Sequence, residues 1–194
     1  MGIGRPRKFD IDAALDRAQH VFCAKGYDAA SIAELTKAMG INSPSLYAAF
    51  GSKGGLFRAV LDRYAQQRVK YLEEALSAPT AREAVRRVFE IAARLYSEDE
   101  DQASWLVMQG GVACGCDAIA DDLAKRRTRV ELALRDRFQR AVDEGEFRQD
   151  VNPTTLARYV LSVLTGMGIQ AASGASREEL EEIAKLAIEG FPAS

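Results

Sequence analysis

Few side chains in this sequence could make or break a covalent bond. Its one histidine, His20, lies in the first apolar-periodic segment with Cys23 one turn away, and two ligands are too few for a metal centre. A single His in that setting argues against His-based triad or acid–base chemistry, and neither a nucleophile elbow nor a Gly-Lys phosphate loop occurs. Gly166-Met167-Gly168-Ile169-Gln170-Ala171 matches the dinucleotide fingerprint G-x-G-x-x-A, but that chemistry needs a strand ending at the first glycine. Here the glycines sit inside a helical stripe, where small residues let another helix approach. Cys114 and Cys116 flank Gly115; a regular helix points them apart, whereas a loosened turn could expose a thiol to oxidants or electrophiles. Asp117, Asp121 and Asp122 are the nearest charges along the chain and would raise the pKa of such a thiol. No catalytic residue, cofactor or metal is expected.

What remains is recognition without bond-making, and its donors stand at helix starts. Ser31 with Glu34 forms a capping box, and Ile32, Leu35 and Met39 then recur on one helical face. Gly40 ends that helix, since glycine enters the left-handed region without a Cβ clash. Ser43 as N-cap and Pro44 as first residue restart a helix almost at once. Leu46 and Phe50 point inward in this short helix, leaving Ser45, Tyr47, Ala48 and Ala49 outside. Two helices across a tight turn, the second with an exposed polar-aromatic face, form a helix-turn-helix suited to the major groove.

The Gly40-Ile41 turn, Ser43-Pro44, Leu46-Tyr47, Phe50, Lys53 and Leu56-Phe57 together resemble the DNA-binding domain of the tetracycline-repressor (TetR) family of bacterial transcription regulators. The resemblance is specific over roughly the first 60 residues; beyond them it is one of length and helical pattern. Thr36 departs from it, standing where the family often has Ala. The resemblance implies that Ser43, Pro44, Ser45 and Tyr47 face the major groove while Ser31, Tyr47 and Lys53 hold phosphates. It further implies double-stranded DNA as partner, a homodimer and a small-molecule effector.

Charge and composition agree. Residues 1–70 hold 11 Lys/Arg against 6 Asp/Glu, and residues 71–194 hold 15 against 22, so DNA contact belongs to the N-terminal third. Residues 1–9 read as a basic arm whose Arg5, Arg7 and Lys8 suit the minor groove. Residues 10–53 make the helix-turn-helix domain, 54–76 a connecting helix that could carry a signal, and 77–194 a ligand-sensing and dimerisation domain. Arg126, Arg127, Arg129, Arg135 and Arg137, interspersed with acids, read as a solvated face, and Thr80 with Glu83 as another capping box. The segment around Gly110, Gly111 and Gly115 predicts a short or distorted helix. No strand pattern occurs, so the expected fold is all-α with about nine helices.

In the larger part, Phe89, Tyr96, Trp105, Met108 and Met167 are candidate linings of an effector cavity. Leu161, Leu164, Thr165, Gly168, Ile169 and Ala172 form one stripe; Leu180, Ile183, Ala184, Ala187 and Ile188 form another. Two such helices from each subunit would build a four-helix dimer interface. No apolar run spans a bilayer and no signal segment is evident, so the expected location is the cytoplasm, with no membrane partner. The expected function is a ligand-responsive repressor released from a near-palindromic operator. The alternatives are a thiol-based sensor using Cys114 or Cys116 and an architectural DNA-binding protein without a ligand.

Overall fold

Asp10 starts the first helix by accepting at Oδ1 from the amides of Asp12 (3.0 Å) and Ala13 (3.2 Å). That helix opens a computed structural model that describes residues 10–97 and 116–192. Eight helices occur among the described residues, with no strand: α1 Ile11–Ala29, α2 Ile32–Met39, α3 Ser43–Phe50, α4 Lys53–Leu76, α5 Ala81–Ser97, α6 Asp117–Asp143, α7 Pro153–Ala172 and α8 Arg177–Glu189. The short helix expected before α6 lies outside the described residues, as does the basic arm. Gly26, at φ +74°, breaks α1 one turn before its end.

The chain divides into two compact units, 1–64 and 65–194, with the boundary inside α4. In the first, Leu15, Ala18 and Phe22 of α1, Leu35 and Met39 of α2, Leu46 of α3, and Leu56, Phe57, Val60 and Leu61 of α4 are all buried. Phe22 and Phe57 pack edge-on, with centroids 4.9 Å apart, and Tyr27 sits 5.1 Å from Phe57. Such aromatic pairs add about 0.5–1.5 kcal/mol each beyond their buried area. Arg63 crosses from α4 to α1, reaching the Asp12 carboxylate at 3.0 Å and that of Asp16 at 3.0 Å.

In the second unit, Val85, Phe89, Leu134, Phe138, Val160, Leu164, Met167, Leu180 and Ala184 form the core, closed at one end by Phe138, Phe147 and Phe191. Two sequence expectations are corrected here. Arg137 is not on the solvated face of α6: its side chain is 2% exposed, and Nη2 reaches Glu146 (3.5 Å) and the carbonyls of Ala78 (3.3 Å) and Pro79 (3.4 Å). The Thr80–Glu83 box is only half made. Thr80 Oγ1 accepts from the Glu83 amide at 3.1 Å, but the Glu83 carboxylate turns to Arg86 and Arg87. Instead, the Glu146 carboxylate accepts from the Ala81 amide at the start of α5.

Candidate nucleic-acid interface

The first unit is built to hold α3 outward. The Ser31–Glu34 box is complete: the Glu34 amide donates to Ser31 Oγ (3.2 Å), and the Ser31 amide and hydroxyl donate to Glu34 (3.1 and 2.8 Å). Lys25 pairs with the same carboxylate. The hydrogen bonds from Lys25 and then Ser31 hold Glu34 down to about 2. At the other end of α2, Gly40 enters the left-handed region at φ +69°, and Ile41 donates back to the Thr36 carbonyl at 3.1 Å, the six-to-one bond of a Schellman turn. Arg17 of α1 reinforces this end through the Met39 carbonyl, 3.4 Å away. Thr36 needs no rearrangement: its buried hydroxyl donates to the Ile32 carbonyl at 2.8 Å.

The cap of α3 differs from the sequence expectation. Asn42, not Ser43, is the N-cap, accepting at Oδ1 from the Ser45 amide at 2.9 Å, so Ser43 and Pro44 open the first turn. Leu46 is fully buried and anchors the helix, while Tyr47 is 48% exposed and Pro44, Ala48 and Ala49 are exposed beside it. Ser43 and Ser45 are half-buried. Gly51 turns the chain at φ +74°, and Ser52 caps α4 by accepting from the Gly55 amide at 2.9 Å. Gly55 is a residue that motif reading passed over: a Cβ there would lie 1.9 Å from the Phe50 carbonyl oxygen. Its only sequence signal is a second glycine in a helix's first turn.

Two expected phosphate donors have partners inside the unit. Ser31 donates to Glu34, as described. Lys53 Nζ donates to the Asp28 carbonyl at 3.0 Å and stands 4.6 Å above the Tyr27 ring, tying the start of α4 to the end of α1. His20 donates from Nδ1 to the Asp16 carbonyl at 2.7 Å, and burial pushes the Cys23 thiol up to about 12. No group able to hold a metal occurs among the described residues.

In the second unit, Phe89 and Met167 are fully buried in the core, and Tyr96 is half-buried against it. Burial raises the Tyr96 phenol to about 12, against the opposing charge of Arg68. Leu164, Leu180, Ala184 and Ala187 are also buried within the unit, whereas Ile169 (38%) and Leu186 (66%) are exposed, with Leu161, Thr165, Ile183 and Ile188 between these extremes. Gly168 faces the Tyr96 ring, and Ala172 is exposed. Cys116 precedes α6, half-buried. Arg5, Arg7, Lys8, Trp105, Met108 and Cys114 lie outside the described residues. None of the described helices is long and apolar enough to cross a membrane.

The geometry agrees with the relatives that the chain resembles. Residues 14–60 match the profile of bacterial regulatory proteins of the tetR family. The HTH-type transcriptional repressor ComR of Escherichia coli K12 is 34% identical over 193 residues, spanning 97% of this chain and 92% of ComR. A cysteine-substituted CifR, a TetR family transcriptional regulator complexed with double-strand operator DNA, superposes with a TM-score of 0.88 at 38% identity, covering 97% of this chain and all of that one. AibR, in complex with isovaleryl coenzyme A and operator DNA, shares the fold at a TM-score of 0.77 but only 18% identity, over 95% of this chain and 99% of that one. With its outward-facing α3, and with relatives that are repressors rather than enzymes, this chain belongs to the TetR family of helix-turn-helix transcriptional regulators.

Proposed function

We propose that the chain is a cytoplasmic, ligand-responsive repressor that binds a near-palindromic operator as a homodimer and leaves it when a small-molecule inducer binds. The observation that carries this reading is α3 itself, fixed by the buried Leu46 and presenting Pro44, Tyr47 and Ala48 to solvent. Ser43, Pro44, Ser45 and Tyr47 face the major groove. With few long donors among them, DNA shape and contacts to thymine methyls carry much of the specificity. Tyr47 and Lys53 hold phosphates, the Lys53 ammonium keeping two N–H groups beyond its bond to Asp28, and Ser31 joins them only where its hydroxyl leaves Glu34; Arg5, Arg7 and Lys8 enter the minor groove.

The exposed Leu186 and Ile169, with Ile183 and Leu161 beside them, support a dimer through α7 and α8. A two-fold dimer presents two reading heads, hence an operator of two inverted half-sites. The second unit then supplies the effector site, with Tyr96 as its most accessible described candidate. AibR, with its coenzyme A ligand, is a precedent for that arrangement at the level of fold. An inducer acts by favouring a form whose heads no longer match the half-site spacing. A gel shift on DNA flanking the gene, with and without a panel of small molecules, tests this reading. Ligand-dependent release supports it, and binding that no molecule alters favours an architectural protein.

A further inference from the structure

The first turn of α3 has few donors left for DNA. Pro44 has no N–H, the Ser45 amide is taken by Asn42 Oδ1 at 2.9 Å, and the Leu46 amide by the Asn42 carbonyl at 3.1 Å. Ala48 and Ala49, exposed further along the helix, bring no polar atom. The capping bond also settles which way the Asn42 amide faces. A backbone N–H can bond only to the oxygen, so Oδ1 turns toward the helix and Nδ2 turns away, on an exposed residue. The two N–H bonds of Nδ2 have no acceptor among the described residues.

We infer that Asn42 contacts DNA directly, its cap-locked amide donating from Nδ2 to a hydrogen-bond acceptor beside the first turn of the reading helix. The inference rests on the DNA-binding role of α3. Capping alone does not call for asparagine, because serine caps equally well and offers no second, outward pair of donors. The lock also lowers the cost of the contact, since the side chain is ordered before DNA arrives. Both sources of the acceptor, a phosphate oxygen and a base edge such as guanine O6 or N7, take the same donor.

The test uses the full chain and a duplex that the wild-type protein enriches from a randomised pool. Asn42→Ser keeps the cap and removes both amide N–H donors, leaving one shorter hydroxyl, whereas Asn42→Ala removes cap and donors alike. Asn42→Ser should melt with the wild type yet bind the enriched duplex about tenfold more weakly, the effect of one lost hydrogen bond. Asn42→Ala should lose stability as well as affinity. If the acceptor is a base, binding to the enriched duplex falls more than binding to a scrambled one; if it is a phosphate, both fall alike. Either pattern supports the contact. Wild-type affinity in Asn42→Ser overturns it, as does a loss of melting temperature equal to that of Asn42→Ala, which would make the residue a cap and no more. A wild-type chain that enriches no duplex would remove the DNA-binding reading itself.

Discussion

The Arg137–Glu146 pair makes the sharpest stability prediction. Glu146, with its side chain 11% exposed, faces the Arg137 guanidinium at 3.5 Å and also accepts from the Ala81 amide. All the contacts of Arg137 run through Nη2, and Nε and Nη1 are buried without a hydrogen-bond partner. Glu146→Ala therefore strands a buried cation that already lacks acceptors. Breaking such a pair from one side costs about 3–5 kcal/mol, and the lost cap adds about 1 kcal/mol. For a chain of this length that is a fall of roughly 8–24 °C in melting temperature. The double variant Arg137→Met/Glu146→Gln removes both charges and leaves an amide oxygen for Ala81, so it should return to within about 1 kcal/mol of the wild type. Urea unfolding followed by far-UV circular dichroism measures all three proteins. A cost below about 1 kcal/mol for Glu146→Ala, or a double variant no more stable than the single one, would refute a stranded Arg137 charge.

Three further outcomes follow from other contacts. Gly55→Ala should disable DNA binding in a gel shift and lower the stability of the first unit, because the new methyl meets the Phe50 backbone oxygen; wild-type behaviour would show that α4 can move aside freely. Glu34 and Glu83 are both held down to about 2, below their ordinary range, so their contribution is present above about pH 4.5 and lost as pH falls toward 2. Urea midpoints should drop across that window, and Glu34→Gln should shrink the drop; an unchanged profile in the variant contradicts the assignment. Iodoacetamide at neutral pH should leave Cys23 unlabelled in the native chain, as mass spectrometry would show, because a thiol pushed up to about 12 holds almost no thiolate.

The boundaries of α2 and α3 were legible because their signals are local. Ser31 with Glu34, Gly40 and Pro44 each act within four residues, so α2 runs between its expected caps and α3 begins within one residue of its expected start. Asn42 was missed because it stands beside Ser43, and either side chain can cap; only the register of the Ser45 amide separates them. Arg137 was missed for another reason. Its neighbours in sequence are charged and solvated, and its partner Glu146 and the carbonyls of Ala78 and Pro79 arrive through the fold. The second cap of α5, beside Thr80, is equally remote, since Glu146 lies 65 residues beyond Ala81. Apolar stripes carry the same ambiguity: Leu164 and Ile169 stand in one expected stripe, yet Leu164 is core and Ile169 is exposed. Helical spacing reports which residues share a face, not what covers it.

One titration bears most directly on the role of α3: a gel shift of the full chain on the duplex it enriches from a randomised pool, run for the wild type, Tyr47→Ala and Lys53→Ala. The wild type should enrich a near-palindrome and bind it tightly, with at least tenfold weaker binding by Tyr47→Ala, which loses an exposed aromatic donor without touching the core. Lys53→Ala should weaken binding alike on enriched and scrambled duplexes, as loss of a phosphate contact does. Enrichment of no sequence, or wild-type affinity in both variants, would contradict the assignment of α3 as the reading head.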